Sequence, residues 1–565
     1  MRLGFFTESS RPETVAMEIF EIVVALLLGG AALAAAARRF GAPYPALVAL
    51  AGVALALIPG VPTLTLDPEL ALALFVAPVL VDAAFDASPR DLRANWRAVA
   101  SLALGAVALT VAVVALVAKA LVPDMPWAAA VALGAIVAPP DAAAATTVLK
   151  ALRPPYRLLV ILEGESLFND ASALLIYRLA VGATLTGFLS GWSVLPTLLV
   201  VTLGSVVLAL ILARLTLAVS ARIKDISTAV VVQFCTTFGV WVLAERLHLS
   251  GIITMVVFAM AASRRAPKLV PARIRIPAWA VWEVAVFVLN VLAFILVGFQ
   301  LRSIAERATG STGARYAMVA ALVCAAVIVA RIVWVTGAAA FSRWRCRPRG
   351  DGAPGPRDAV ALSARGAAVV GWCGMRGTVT LAAALALPTG FPYRDLILTT
   401  AFGVTLGTLV LQGLSLRPLM LRLRLEDDGT VDREVRLARV EALRAAVEAA
   451  ATCPGAETTE LVRRRYELQL LRAEEEIDGD GESVNGHAAE DLEATPPFVA
   501  EADSRESDAA AVQAATEAQR RRLMALRDDG TIGDAAFQRV EEELDWAELG
   551  WAHLLRPGRE PHGEA

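Results

Sequence analysis

Apolar stretches of roughly 20 residues, the length a helix needs to cross a bilayer, recur along about the first 425 positions, and the loops between them are short and rich in Arg, Pro or Gly. No other feature narrows the fold as far. With 57% hydrophobic residues and a mean hydropathy of +0.59, the chain carries more apolar surface than a soluble domain of its size could bury, so its solvent is lipid. The expected fold is an all-α polytopic membrane protein. Reading apolar runs between breakers places about thirteen spans, beginning near 17, 44, 68, 97, 126, 156, 193, 227, 249, 277, 313, 367 and 395. They define an expected transmembrane domain over 17–425 behind a polar extension, 1–16. That extension lacks the basic-then-apolar order of a signal peptide, and Met17 stands as an alternative start.

Loops after odd-numbered spans hold about 21 Lys and Arg, against about 5 in even-numbered loops. Basic residues mark the cytoplasmic side, so the N-terminus is expected outside and the C-terminus inside the cell membrane. The formal net charge of −3 hides a split, because residues 426–565 alone carry about −18. This tail reads as helix over 431–476, a disordered acidic stretch near 477–508, and a second helical stretch over 509–555. It contains no phosphate loop and is expected to be a solvated helical appendage that sets stability or assembly. Five cysteines lie singly, without disulfide or zinc spacing. No cofactor and no nucleic acid is expected as a partner, and the chain reads as a transporter, not an enzyme.

The chemistry must come from ionisable residues inside the spans, each costly in lipid unless it lines a polar cavity or is paired. Five stand out: Asp82, Asp141, Glu165, Asp170 and Arg331. His248 is the only histidine before the tail, so carboxylates must carry protons. Pro139 and Pro140 remove two backbone donors in the middle of an apolar segment, which breaks the helix beside Asp141. Irregular backbone at membrane depth is tolerated only where it is buried or lines a cavity, and transporters use it to coordinate cations. Ser166 and Asp170 lie four residues apart on one helical face, with Glu165 and Asn169 on the neighbouring face. Together with Asp141 they offer the hard oxygen ligands that suit Na⁺. Desolvation disfavours a charged carboxylate, so a proton and a cation compete for the same oxygens. Arg331 needs an acceptor, and Glu165, turned from the ion face, is expected to form a structural ion pair with it. Arg376, between Gly374 and Gly377, suggests a second interrupted helix. Spans five and twelve are an odd number apart, which suits an inverted-topology repeat with the site between its halves.

The segments APPDAAAAT, with its Asp 29 residues before Asp170, GESLFNDASALLIY and GMRGTVTLAAALALP, in that order, resemble the sodium/proton exchanger family of NhaP type within the monovalent cation:proton antiporters. The resemblance covers about residues 17–425. It implies thirteen helices in a core domain and a dimerisation domain, hence a homodimer. It also implies Na⁺, Li⁺ or K⁺ bound by Asp141, Ser166 and Asp170, and a Glu165–Arg331 pair. Asn169 stands where electrogenic relatives carry a second Asp, which points to electroneutral exchange, and Asp82 matches a position usually held by Glu. Two alternatives are a K⁺/H⁺ antiporter and a cation channel. A channel would show repeated carbonyl filter sequences or charged rings, and neither is visible. A di-aspartyl protease would need a GxGD-type context, which Phe168-Asn169-Asp170 does not supply.

Overall fold

Helix boundaries follow the local chemistry of caps and breakers. Ser88, Asp225, Ser250 and Ser363 each accept a hydrogen bond from the amide three residues on, satisfying a donor that the first helical turn leaves orphaned. The computed structural model describes residues 12–40, 44–56, 70, 72–152, 154–186, 191–307, 311–345, 363–425, 427–452, 457–478 and 502–552, and these are helical or in short connections.

In chain order the longer helices are α1 (Pro12–Phe40), α2 (Tyr44–Ala56), α3 (Ala77–Asp86), α4 (Trp96–Leu121), α5 (Trp127–Val137), α6 (Ala142–Leu152) and α7 (Tyr156–Thr186). There follow α8 (Gly191–Ser220), α9 (Ile226–Arg246), α10 (Gly251–Ser263), α11 (Ala272–Arg307), α12 (Ser311–Arg345), α13 (Ala364–Trp372), α14 (Thr378–Leu385) and α15 (Arg394–Leu423). The tail supplies α16 (Thr430–Thr452), α17 (Glu457–Asp478), α18 (Ala502–Asp528) and α19 (Asp534–Ala552). Among the described residues, six helical segments are long and apolar enough to cross a membrane, and four shorter apolar ones join them. On α8, Leu203, Val207, Ile211 and Leu215 are all more than half exposed at a spacing of four, a stripe that only lipid or another apolar surface would cover.

Two groups of helices emerge from the packing. The first joins α4, the α5/α6 pair, α7, α12, the α13/α14 pair and α15, while α3 and α8 to α10 form the second, with α2 laid along α11. A π-helical stretch at Ser101–Ala106 loosens α4, and the carbonyls it frees are used by neighbours. The Trp334 indole donates to the Ser101 carbonyl at 3.0 Å, and the Ser172 hydroxyl to that of Ala103 at 2.7 Å. At Gly134 an added Cβ would lie 2.7 Å from the Val111 carbonyl oxygen, so the close contact of α4 with α5 needs glycine there.

The tail differs from the two long helical stretches expected. Its first half is two helices packed on each other, α16 and α17, and its second is a hairpin of α18 and α19. Gly530, with φ of +84°, takes the left-handed turn that splits them. Helix α18 starts at Ala502, inside the stretch expected to be disordered, while residues 479–501 lie outside the described residues. The hairpin grips the membrane domain. Asp534 accepts from the Ser88 hydroxyl at 2.6 Å, and the Ile532 carbonyl from Arg90 at 2.7 Å. Arg275, near the start of α11, donates to Glu541 at 2.8 Å and Asp545 at 2.6 Å. Asp545 also accepts from Arg520 at 2.5 Å. Burial pushes the Glu541 carboxyl up from its ordinary value, with Arg275 opposing.

These contacts are shielded, and removing Arg275 leaves Glu541 and Asp545 with Arg520 as their remaining cation while cutting the bridge from α11 to the hairpin. Arg275→Ala is expected to weaken docking by about 3 kcal/mol, within the range for breaking a buried pair. Limited proteolysis of the purified protein should then cut the tail more than tenfold faster, and an unchanged rate would show that the contacts carry no docking energy.

Candidate ion-binding site

Helix α5 stops at Val137, and α6 resumes only at Ala142. The intervening Pro139 and Pro140 carry no N–H and cannot continue the α5 ladder. Helix α13 stops at Trp372, and α14 resumes at Thr378. The two interruptions face each other. The Asp141 amide donates to the Met375 carbonyl at 2.7 Å, and a Cβ added at Gly377 would overlap the Asp141 carboxylate. Glycine at 377 is what lets the breaks approach.

Arg376 is fully buried, and its partners are carbonyls. Its Nε donates to Val137 at 2.9 Å and its Nη2 to Ala138 at 3.2 Å, while Nη1 donates to Gly374 and its own amide donates to the Thr408 hydroxyl at 3.0 Å. A cation at the C-terminal end of α5 meets both its orphan carbonyls and the negative pole of its dipole. Asn169 on α7 completes the closure by donating from Nδ2 to the Pro140 carbonyl at 3.0 Å. Carbonyls at the break, expected to face an ion, are thus largely occupied by Arg376 and Asn169.

What faces the space between the breaks is side chains. A cavity of about 30 Å³ is lined by Pro139, Pro140, Asp141, Ser166 and Asp170, with Gly377, Thr378 and Thr380 from the second break and Val79, Leu80 and Ala83 from α3. That volume suits one or two water-sized occupants. Asp170 is buried and Asp141 half-buried. Three of the predicted ion ligands therefore meet, and two stand apart. Asn169 is buried behind the break. Asp82 points out of the cavity, toward the Trp282 indole, with Asp86, Lys150 and Glu283 around it. The helical turn that sets Ala83 into the cavity turns Asp82 away.

Residues 23–422 match the family described as sodium/hydrogen exchanger, transmembrane. The chain belongs to the sodium/hydrogen exchanger family. An uncharacterised Na⁺/H⁺ exchanger of Mycobacterium tuberculosis is 31% identical over 440 residues, 76% of this chain and 79% of that one. The sodium, potassium, lithium and rubidium/H⁺ antiporter of Bacillus subtilis is 30% identical over 417 residues, 70% of this chain and 60% of that one. Among solved structures, the sodium proton antiporter MjNhaP1 of Methanocaldococcus jannaschii superposes with a TM-score of 0.56 at 17% identity, covering 73% of this chain and 100% of that one. That likeness is one of fold.

In this family member the second buried arginine sits one helix away. Arg331 on α12 is 2% exposed and Glu165 1%. Both guanidinium Nη atoms reach the carboxylate, Nη1 to Oε1 and Nη2 to Oε2 at 2.8 Å, and Nη2 also donates to the Val370 carbonyl at 3.0 Å. The pair joins α7 to α12 and, through Val370, to α13. Sequence reasoning passed over Thr378 and Thr380, although two hydroxyls directly after the GMRG break were a readable signal.

Breaking one side of a buried pair leaves an unpaired charge in a dry site, at a cost of about 3–5 kcal/mol, whereas removing both sides is far milder. In detergent, Glu165→Gln and Arg331→Gln should each lower Tm strongly, and the double variant by less than the sum of the singles. An additive double variant would exclude direct coupling.

Proposed function

We propose that this chain is a monovalent cation:proton antiporter that exchanges Na⁺ for H⁺ without net charge movement. The observation that carries the proposal is that Asp141, in the break between α5 and α6, and Asp170, on α7, line one cavity of about 30 Å³, while the two guanidinium groups buried among the described residues are engaged elsewhere, Arg331 by Glu165 and Arg376 by carbonyls. Buried carboxylates are costly as bare anions. A cation or a proton can neutralise Asp170, and a site that takes one or the other, exposed to each side in turn, exchanges the two.

In this reading Asp141, Ser166 and Asp170 bind the ion. Asn169 and Arg376 hold the interrupted backbone, and Asp82 stands outside the cavity lining. The chain crosses the membrane thirteen times with its N-terminus outside and its tail in the cytoplasm, and it works as a homodimer. The core group rocks against the other helices to alternate access. Potassium is included in the tests because the name of the B. subtilis relative includes it.

Asp170→Asn keeps the size of the side chain and removes the titrating charge. In proteoliposomes it is expected to abolish Na⁺-driven proton movement while the protein still inserts. Near-normal proton release on adding Na⁺ would reject Asp170 as the shared ligand.

With Asn169 preceding Asp170 in place of the second Asp of electrogenic relatives, the chain has one titratable carboxylate fewer at this position, consistent with one cation for one proton. An imposed membrane potential should then leave the exchange equilibrium unmoved, whereas one net charge per cycle would shift it by about 2.3 kcal/mol per 100 mV. With K⁺ first shown not to be transported, a proton gradient that moves when valinomycin and K⁺ set the potential would demonstrate electrogenic transport.

A further inference from the structure

We infer that Thr380, on the second broken helix, is a ligand of the transported cation and helps set its selectivity; the inference rests on the site reading above. A threonine inside a helix ordinarily turns its hydroxyl back to the carbonyl four residues earlier. Thr110, Thr237, Thr400 and Thr408 all do so, at 2.7 to 3.0 Å. Thr380 cannot do this in the usual way, because four residues back lies Arg376, in the non-helical stretch before α14. Its hydroxyl oxygen is buried and has no hydrogen-bond partner among the described residues, and the residue is 1% exposed. A buried hydroxyl left in that state costs free energy unless something binds it.

The place it lines supplies the occupant. Thr380 borders the same cavity as Asp141, Ser166 and Asp170. A dehydrated alkali cation there needs hard oxygen atoms around it. The break in α5/α6 supplies few, because the carbonyls of Val137, Ala138 and Pro140 already accept from Arg376 and Asn169. A hydroxyl from the opposite side of the cavity completes the shell and draws both interrupted helices onto one ion. When protons replace the cation, the same hydroxyl can hydrogen-bond a neutral carboxyl, so its loss weakens the cation-loaded state more than the proton-loaded state.

The test is exchange by the full-length protein in proteoliposomes, with Na⁺, Li⁺ and K⁺ titrated separately at fixed pH. Thr380→Val, nearly isosteric, should raise the half-saturating Na⁺ concentration about tenfold, the size of one lost contact to a charge, with the maximal rate within about twofold. It should also change the Li⁺:Na⁺:K⁺ preference. Thr380→Ser, which keeps the hydroxyl, should restore both. Thr405→Val removes another buried hydroxyl that has no partner among the described residues, one that does not line the cavity, and should leave the titrations unchanged. If the valine variant is not monodisperse, Thr380→Ala removes the oxygen without added volume. The inference is overturned if the valine titration matches wild type while Asp170→Asn is inactive, if serine and valine variants are equally impaired, or if Thr405→Val shifts the titration as much. Retained exchange by Asp170→Asn would instead remove the site reading itself, and the ligand role of Thr380 with it.

Discussion

The fold depends on two helices that stop inside the apolar layer and satisfy each other. Lipid offers no hydrogen bonds, so each interrupted turn must find partners within the protein. Arg376 reaches from one interruption to the Val137 and Ala138 carbonyls of the other, the Asp141 amide returns a bond to Met375, and Asn169 takes Pro140. Together these bonds satisfy several of the backbone groups that the two breaks set free. It also sets a positive group at the C-terminal end of α5, the end whose dipole welcomes it. The cavity follows from this closure, since Asp141, Thr378 and Thr380 at the two breaks face Ser166 and Asp170 of α7 across it.

Charge in the core is distributed by the same logic. Arg331 and Glu165 neutralise each other bidentately and tie α7 to α12, so α7 has one face committed to architecture and another to the cavity. A helix with 3.6 residues per turn can serve both, because Glu165 and Ser166 point about 100° apart. The cavity-facing side of α7 is thereby anchored to a neighbouring helix, which holds Asp170 in place beside Asp141.

The tail links this core to the second group of helices. Its hairpin touches Ser88 and Arg90 on one side and Arg275 of α11 on the other. The segment it holds also receives Tyr156 and Arg157, at the start of α7, through Asp91 at 3.0 Å and Asn95 at 2.9 Å. The tail thus connects through polar contacts to the foot of the helix that carries Asp170. Its acidic composition is locally organised: Arg275 and Arg520 sit between Glu541, Asp545 and Glu548, an arrangement that net charge could not reveal.

The apolar runs, the basic loops and the Pro139-Pro140 pair were enough to establish from sequence an all-helical membrane protein with a break beside Asp141, because membrane thickness and the missing proline amides act locally. The four-residue spacing of Ser166 and Asp170 was equally legible, since helical periodicity alone places them on one face. Only the tertiary structure decided which residues share a cavity. It brought Thr380 in from over 200 positions away, turned Asp82 toward Trp282, and gave Asn169 to a carbonyl, because those outcomes depend on how helices cross and rotate against one another. The tail divided in the same way. Helical propensity announced its helices, but Gly530 and the grip on Arg275 decided how they fold back, a matter of long-range pairing that no local pattern encodes.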